Sequence, residues 1–318
     1  MSSFSQPSVV IVIPVYNAGM FLKEAIDSCL RQTYQALRIV VINDASTDNI
    51  AELLGSYDDA AALEVITNHE NKGKGRSLNT LLPLLTESYI ALMDADDVMY
   101  PERIEKQVAF MEKHPGLGAS SGFMDYISST GKIIGKARSD LLSEEDAQQY
   151  VKQNDPFAIF CPCAMLRAEI FKDPDLLFRP QFWPADDVDL WNRIHEKGWQ
   201  VFLQPEPLMQ YRIHGSSAVT SSFFKTRHQF EFLRECMRAR RRGDTEPTRE
   251  EFVKMMAERP LWTRFNSWRK TYAKGMYRSG GFAIAEKKPF TAVCLLVVAG
   301  LLQPLYVFNR LKPQVLNK

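Results

Sequence analysis

The chain has 318 residues, of which 45% are hydrophobic and 24% are charged, and its formal net charge at pH 7 is +1. This length and hydrophobic share allow one large or two medium globular domains, and they exclude an intrinsically disordered chain. The nearly neutral charge gives no electrostatic reason to expect a nucleic-acid partner.

The cysteines and the N-terminus indicate a reducing compartment. The five cysteines form neither paired C-x-x-C zinc ligands nor an even disulfide framework. We therefore interpret Cys161 and Cys163 as small buried residues, not as a redox pair. Residues 1–7 lack the basic start and apolar core of a secretory signal. The expected location is cytoplasmic.

The first hundred residues alternate between strands and helices. Continuous apolar runs predict strands buried on both faces at 9–13, 37–42, 63–66 and 89–93. Helical spacing of apolar residues predicts helices at 19–32 and through 78–82. Pro14 is expected to end the first strand, and Ser46 or Thr47 to cap the helix after the second. Four such alternations predict a doubly wound α/β sheet with right-handed crossovers.

Polar segments follow three of these strands, and they read Pro14-Val15-Tyr16, Asn43-Asp44 and Asp94-Ala95-Asp96-Asp97. Because ligands of doubly wound sheets bind beyond the carboxyl ends of the strands, the three segments are expected to converge on one crevice. The clustered carboxylates repel one another unless a cation shares their charge, and oxygen ligands suit Mg²⁺ or Mn²⁺. The alternative is a solvated acidic loop.

Beyond residue 100 the predicted elements are shorter and more varied. They are a helix from Pro101, a strand and hairpin over 117–134, a polar mobile segment over 136–160 with a helix near 144–152, and strands at 161–166, 199–203 and 208–213.

A second acidic pair, Asp186-Asp187, lies in the first turn of a predicted helix whose apolar face is formed by Val188, Trp191, Ile194 and His195. The helix dipole alone accounts for acids at this position, at ~0.3–1 kcal/mol each. Partial desolvation by neighbouring aromatic residues would also raise the pKa of a carboxylate and prepare it as a base. The aromatic residues in question are Phe182, Trp183 and Trp191.

From about residue 220 the composition changes to basic, aromatic helices, so we predict domains at 1–220 and 221–318. The segment 290–308 carries no charge and is bracketed by Lys287-Lys288 and by Arg310 with Lys312. Its length approaches that of a membrane span, although Gly300, Gln303 and Pro304 interrupt it. Membrane attachment through this segment and packing on the main domain both remain open.

Five motifs in order resemble those of the family 2 inverting glycosyltransferases, whose catalytic domain has the GT-A fold. They are Val12-Ile13-Pro14-Val15-Tyr16-Asn17, Ile42-Asn43-Asp44-Ala45-Ser46-Thr47-Asp48, Asn71-Lys72-Gly73 with Gly75-Arg76-Ser77-Leu78-Asn79, the D-x-D segment Asp94-Ala95-Asp96-Asp97, and Asp186-Asp187. The resemblance covers roughly residues 8 to 215. It implies a GT-A type doubly wound mixed sheet with a helical C-terminal extension.

Position by position, the resemblance implies roles for these side chains. The nucleotide would be held by Pro14, Tyr16, Asp44, Arg76 and Asp94. The divalent ion, Mn²⁺ or Mg²⁺, would be held with Asp96, and His214 would lie near the metal or diphosphate. The catalytic base would be Asp187. The supporting residues would be Asp97, adjacent to Asp94 and Asp96, together with Asp186 and Trp191.

The chain departs from the family pattern at three positions. Asn43 stands where Asp is usual, Ala45 where Gly is common, and Asp186 where Glu is usual. Asn43 and Asp186 keep polar oxygens and are expected to be tolerated. Ala45 takes a positive φ less easily than Gly, so its turn is expected to differ slightly.

The resemblance implies single-displacement, inverting transfer of a sugar from a nucleotide-diphosphate donor, with a UDP-sugar favoured, to an acceptor hydroxyl. The acceptor expected from the basic C-terminal region is a glycan or lipid-linked glycan at the inner face of the membrane, as in cell-surface polysaccharide or glycolipid synthesis. A bound cation would neutralise the leaving group.

Three alternatives are weaker. A phosphatase of the haloacid dehalogenase type would carry its D-x-D on the first strand, followed by Thr. A nucleotide-sugar pyrophosphorylase would have a basic Gly-rich loop after that strand, whereas residues 14–19 contain no Lys or Arg. A non-catalytic scaffold could dispense with one acidic cluster, and both are present.

Overall fold

The computed structural model describes residues 6–57, 59–213, 223–285 and 288–308. The chain divides into two compact units, Met1–His214 and Gly215–Lys318.

The first unit is built on a mixed sheet that, in the described residues, contains nine strands. The strands are β1 (Val9–Val15), β2 (Leu37–Asn43), β3 (Leu63–Thr67), β4 (Tyr89–Leu92), β5 (Val98–Met99), β6 (Leu117–Ile127), β7 (Ile133–Ala137), β8 (Met165–Arg167) and β9 (Gln200–Arg212). Their order is β3-β2-β1-β4-β8-β6-β9-β5, with β7 paired to β6. The first four in this order run parallel, and β8 is antiparallel to β4.

The parallel strands form the centre of the core because β1, β2 and β4 are almost wholly buried apolar runs. The structure extends β1 beyond the predicted end at Pro14. Along β1, Val12 O accepts from the Met93 N–H, and Val15 O accepts from the Asp44 N–H. The backbone N–H and C=O groups of alternate β1 residues therefore point towards β4 and towards β2. Those of Pro14 point to the side of β4, which has already ended at this level. The missing N–H of Pro14 is not needed there.

The helices of the first unit are α1 (Gly19–Leu30), α2 (Ile50–Gly55), α3 (Lys74–Leu81), α4 (Arg103–Lys113), α5 (Glu144–Lys152) and α6 (Asp186–Glu196). The predicted cap of α2 by Ser46 or Thr47 is wrong, because Asn49 occupies the N-cap position and makes no side-chain cap hydrogen bond. The two hydroxyls instead contact Asn17 in the loop after β1.

The segment over 136–160 was predicted to be mobile, and the structure differs. Helix α5 lies within it as predicted, and Leu141, Ala147, Phe157 and Ile159 are buried in the core. After it, Cys161–Cys163 forms a 3-10 turn before β8, and both cysteines are buried. The two strands predicted over 199–213 form one strand, β9. Its pairing with β6 is irregular near Pro207, so Pro205 and Pro207 do not end the strand.

The second unit is helical, with α7 (Phe223–Arg242), α8 (Arg249–Glu258), α9 (Leu261–Ala285) and α10 (Pro289–Leu302). Helices α9 and α10 pack as a hairpin, in which Gly280 leaves room for the Leu296 side chain. The Arg269 guanidinium donates to Leu302 O at 3.0 Å. Within the described part of the chain, no helix is both long and apolar enough to cross a bilayer.

Candidate active site

The carboxyl ends of β1, β2 and β4 lie side by side at one edge of the sheet. The strands are parallel, with Val15 opposite Asn43 and Val12 opposite Leu92. The chain therefore leaves the sheet in the same direction after each strand. The structure thus brings together the three polar strand ends singled out in the sequence, at an edge that we call the rim.

Asp44, just after β2, is buried and accepts four hydrogen bonds. The Asn68 amide and the Ser77 hydroxyl donate to its Oδ1 at 2.7 and 2.8 Å. The backbone N–H groups of Lys72 and Gly73 donate to Oδ1 and Oδ2 at 3.0 and 2.8 Å. Burial by itself would raise the pKa of Asp44, but these hydrogen bonds hold it below its ordinary value. An ionised Asp44 therefore fixes the loop that leads into α3.

A second set of contacts joins the loops after β1 and β2. The Thr47 N–H donates to Asn17 Oδ1 at 2.8 Å, and the Asn17 N–H donates to Ser46 Oγ at 3.1 Å. Asn17 and Ala45 adopt left-handed backbone conformations, with φ of 51° and 57°. Ala45 thus holds the conformation for which Gly is the usual residue.

Lys74, the first residue of α3, forms an ion pair with the Asp94 carboxylate after β4. Desolvation would lower the pKa of Lys74, but the neighbouring acidic groups, chiefly Asp94, together outweigh it, and the pKa is raised well above its ordinary value. Lys74 also lies within electrostatic range of Asp187. A permanent cation therefore lies between the two acidic clusters.

The loop of Asp96 and Asp97 is held by Arg212 at the end of β9. The Arg212 N–H donates to Asp97 Oδ1 and its Nε donates to Asp96 O, both at 2.8 Å. The guanidinium is 2% exposed and also pairs with Glu24. Burial, followed by repulsion from Asp96, raises the pKa of Asp97 well above its ordinary value. Arg212 thus fixes the backbone of the D-x-D loop.

The carboxylates of the D-x-D loop form a compact oxygen cluster. Ligand oxygens of Asp94, Asp96 and Asp97 lie within 4.8 Å of one another. Asp97 Oδ2 is buried without a hydrogen-bond partner among the described residues. An all-oxygen cluster with an unsatisfied buried oxygen suits a hard divalent cation such as Mn²⁺ or Mg²⁺.

Asp186 and Asp187 begin α6 and approach the rim across α3. An added Cβ at Gly75 would lie 2.8 Å from Asp186 Oδ2, so Gly75 lets the Asp186 carboxylate come this close to α3. Burial, reinforced by the neighbouring Asp186 carboxylate, raises the pKa of Asp187 to about 7. A carboxyl group with this pKa can exchange a proton near neutral pH.

Asp189, the third acid of α6, is paired inside the protein and does not face the rim. It is fully buried between the Arg179 and Arg193 guanidinium groups, with Nε of each 2.8 Å from Oδ2. Its charge is therefore neutralised inside the protein. This pairing separates Asp189 from the two acids that face the rim.

The other residues singled out in the sequence have different surroundings. Pro14 and Tyr16 lie at the rim, where Tyr16 is exposed. Arg76 is exposed on α3. Trp191 is buried in the core, and His214 lies outside the described residues.

Sequence reasoning missed Lys74. Within 71–76 it chose Arg76 as the cation, but residues two apart on a helix point to different sides. The start of α3 directly after Gly73 was the available signal for Lys74. The buried Cys161 thiol lies within electrostatic range of Lys74 and Asp187, and burial raises its pKa.

A family model and the similar protein sequences indicate the same family for this chain. Residues 10–173 match the model of the family described as Glycosyl transferase family 2. The chain is 31% identical over 229 residues to an uncharacterized glycosyltransferase of Haemophilus influenzae, covering 69% of this chain and 68% of that protein. It is 27% identical to the amylovoran biosynthesis glycosyltransferase AmsE of Erwinia amylovora, covering 64% of this chain and 75% of that protein.

Solved structures share the fold. The mannosyltransferase PcManGT from Pyrobaculum calidifontis, in complex with GDP-Man and Mn²⁺, matches with a TM-score of 0.58 and 18% identity, covering 94% of this chain and 87% of that chain. S. aureus TarS 1–349, in complex with UDP-GlcNAc, matches with a TM-score of 0.55 and 14% identity, covering 91% and 90%. These likenesses concern the fold, and they confirm the predicted GT-A type architecture.

Proposed function

The chain belongs to glycosyl transferase family 2, and on this basis we propose that it transfers a sugar from a nucleotide-diphosphate donor to an acceptor hydroxyl with inversion at the anomeric carbon. One observation carries the proposal. The Asp94–Asp97 carboxylate loop and the raised-pKa carboxyl of Asp187 face the same rim, with Lys74 between them.

The donor half of the site is assigned to the rim. Tyr16 is exposed next to Pro14 at the end of β1, where a flat base can pack. Asp44 is a proposed nucleotide contact and also orders the loop before α3. Its substitution is therefore expected to change the conformation of that loop and to weaken nucleotide binding. Arg76 and Asp94 complete the proposed nucleotide contacts.

Lys74 is the proposed partner of the donor's phosphates. Its ammonium contacts Asp94, and its side chain is 36% exposed. A diphosphate entering at Asp94 would meet this charge, and a fixed cation stabilises the negative charge that develops on the leaving diphosphate.

The carboxylates of Asp94 and Asp96, with Asp97 behind them, would hold Mn²⁺ or Mg²⁺. When bound, such an ion supplies Lewis-acid neutralisation of the diphosphate. His214 remains a proposed contributor from outside the described residues. The chain's own part is to hold the loop still, which Arg212 does through the Asp96 carbonyl and the Asp97 carboxylate.

Asp187 is the proposed base. As the bond between the anomeric carbon and the diphosphate oxygen breaks, the acceptor oxygen forms the new bond and its proton passes to an Asp187 carboxylate oxygen. The electron pair of the broken bond leaves with the diphosphate. Burial and repulsion from Asp186 raise the pKa of Asp187. Trp191, on the same helix, is buried in the core.

The proposed acceptor is a glycan or lipid-linked glycan of a cell-surface polysaccharide or glycolipid pathway, reached from the cytoplasmic face of the membrane. The AmsE relative is described as an amylovoran biosynthesis enzyme, which supports a polysaccharide setting. The proposed donor is a UDP-sugar, whose base is uracil, and the structural neighbours were solved with UDP-GlcNAc and GDP-Man.

The proposal is tested by nucleotide release from a panel of UDP-, GDP- and dTDP-sugars with Mn²⁺ or Mg²⁺, with and without chelator. We expect release from one class of donor, supported by the metal and abolished by the chelator. Release that survives the chelator would contradict the metal assignment. A chain that binds a nucleotide-sugar but releases nothing with any acceptor preparation would point to a binding scaffold.

A further inference from the structure

Helix α10 has an inverted pattern of burial. Phe290 and Leu301 are 83% and 79% exposed, whereas the small Ala299 is 0% exposed. The exposed large residues recur every three or four positions and therefore lie along one side of the helix. They are Phe290, Val293, Val297 and Leu301, and Val298 beside Val297 is also exposed. A helix on the surface of a water-soluble domain normally shows the opposite arrangement.

Helix α9 adds an exposed aromatic row to the same hairpin. Trp262, Phe265 and Trp268 are all exposed, and their neighbouring ring centroids lie 5.9 Å apart. Tryptophan is enriched where protein meets the boundary between lipid and water. We call these three residues, together with the exposed apolar side of α10, the hairpin surface.

The sequence that contains the hairpin is strongly basic. Residues 261–318 contain ten basic residues against one acidic residue, Glu286, although the whole chain has a net charge of only +1. The basic residues are Arg264, Arg269, Lys270, Lys274, Arg278, Lys287, Lys288, Arg310, Lys312 and Lys318. Residues 289–308 carry no charge. An uncharged apolar helix bordered by basic residues complements the anionic headgroups of a membrane surface.

The length of α10 decides how the hairpin would meet a bilayer. Its 14 residues span about 21 Å, less than the roughly 30 Å of hydrocarbon in a typical bilayer, so the helix is too short to cross it.

A second copy of the chain is a poor alternative occupant of this surface, because it would bring two strongly basic regions together.

We propose that the α9–α10 hairpin docks on the surface of an anionic lipid bilayer, lying in the plane of the membrane with the hairpin surface in the acyl boundary. The inference rests on the second unit alone and does not depend on the proposed transfer chemistry. Its consequence is that the enzyme would meet a lipid-linked acceptor by diffusion in two dimensions.

Cys294 offers a direct probe, because it is exposed on α10 while the other four cysteines are buried. It lies three residues before Val297, on the same side of the helix. An environment-sensitive nitrobenzoxadiazole label on Cys294 of the full chain is mixed with phosphatidylcholine vesicles, with or without about a third phosphatidylglycerol. We expect a blue shift of emission and quenching by acyl-chain spin labels with the anionic vesicles. Unchanged emission overturns the proposal.

Co-sedimentation with the same vesicles tests the surface itself. The double variant Val297→Glu, Leu301→Glu is expected to lower the vesicle partition coefficient by at least about tenfold. Leu84→Glu is the matched control, because Leu84 is 73% exposed in the first unit, and it should bind like wild type. The double variant Arg264→Glu, Lys270→Glu should weaken binding to the anionic vesicles, whereas Lys113→Glu should not.

Two further measurements separate the outcomes. Sedimentation velocity without vesicles that shows a dimer, lost in the Val297→Glu, Leu301→Glu variant and accompanied by no vesicle binding, would assign the surface to a second copy and refute the proposal. Nucleotide release in solution by the same variant should equal wild type. Loss of vesicle binding is thereby distinguished from a failure of the catalytic site.

Discussion

The Lys74 ammonium forms an ion pair with the Asp94 carboxylate, which joins the first turn of α3 to the loop after β4. Lys74 also lies within electrostatic range of Asp187 on α6. The pair therefore connects the proposed donor half of the site with the proposed base.

Replacing Lys74 by Met is expected to lower kcat/KM for sugar transfer by about 10- to 100-fold, because a preorganised cation beside the leaving group is lost. The same change should tighten the apparent affinity for Mn²⁺, since Asp94 loses its competing partner. Steady-state kinetics and a Mn²⁺ titration measure the two effects. Lys113→Met, at an exposed position on α4, is the control, and equal behaviour of the two variants would remove Lys74 from the site.

The pH dependence of transfer should report Asp187. A base must be deprotonated to accept the acceptor's proton, and the pKa of Asp187 is about 7. Below that value the rate should rise about tenfold per pH unit, and above it the rate should level off.

The Asp186→Asn variant tests whether the rise of the rate with pH, the rising limb of the profile, reports Asp187. Removing the Asp186 charge removes repulsion that raises the pKa of Asp187, so the rising limb should move to lower pH. The profiles are compared over about pH 5–9 under saturating donor. An unshifted limb would show that a different group titrates.

Arg212→Lys tests the support of the D-x-D loop. A lysine cannot reproduce the planar set of donors that reaches Asp96 O, Glu24 and the carbonyls of Ser128 and Ser129. We expect a loss of about 1–3 kcal/mol in the free energy of unfolding, measured by urea denaturation, together with weaker Mn²⁺ binding. Arg31→Lys, on the exposed end of α1, should leave both quantities unchanged. Wild-type stability and Mn²⁺ binding of Arg212→Lys would mean that the D-x-D loop does not need Arg212 to keep its conformation.

Ala45→Gly should stabilise the protein. Ala45 has φ of 57°, and relief of the left-handed conformation, less the extra entropy of glycine in the unfolded chain, should gain about 0.5–1 kcal/mol in the free energy of unfolding. Ala51→Gly, in α2 at an ordinary helical φ, should instead lose about 1 kcal/mol. Loss of stability in both variants would show that the Ala45 turn is unstrained.

Much of the fold was readable in the sequence because its central strands are buried on both faces. Uninterrupted runs such as that of β1 leave little alternative to a parallel sheet. Helices α5 and α6 were also predicted close to their observed bounds. The placement of the strand ends on one rim followed from the general geometry of parallel strands.

The rest depended on tertiary contacts that no local pattern reports. Asp189 resembles Asp186 and Asp187 in sequence, and only its pairing with Arg179 and Arg193 gives it a structural role. Lys74 was overlooked in favour of Arg76, because which of two nearby cations faces Asp94 depends on where α3 begins. Arg212 reaches the Asp96–Asp97 loop across more than a hundred residues of chain.

Asp187 is the proposed base of a site whose donor half lies at Asp94–Asp97, and one substitution tests this arrangement directly. Sugar transfer and nucleotide affinity are measured side by side for Asp187→Asn, with Mn²⁺ and the donor selected from the panel. Asp175→Asn, at an exposed carboxylate before α6, is the control. We expect Asp187→Asn to lose at least about a thousandfold in kcat while its nucleotide affinity stays near that of wild type. Transfer at the wild-type rate by Asp187→Asn would contradict this arrangement.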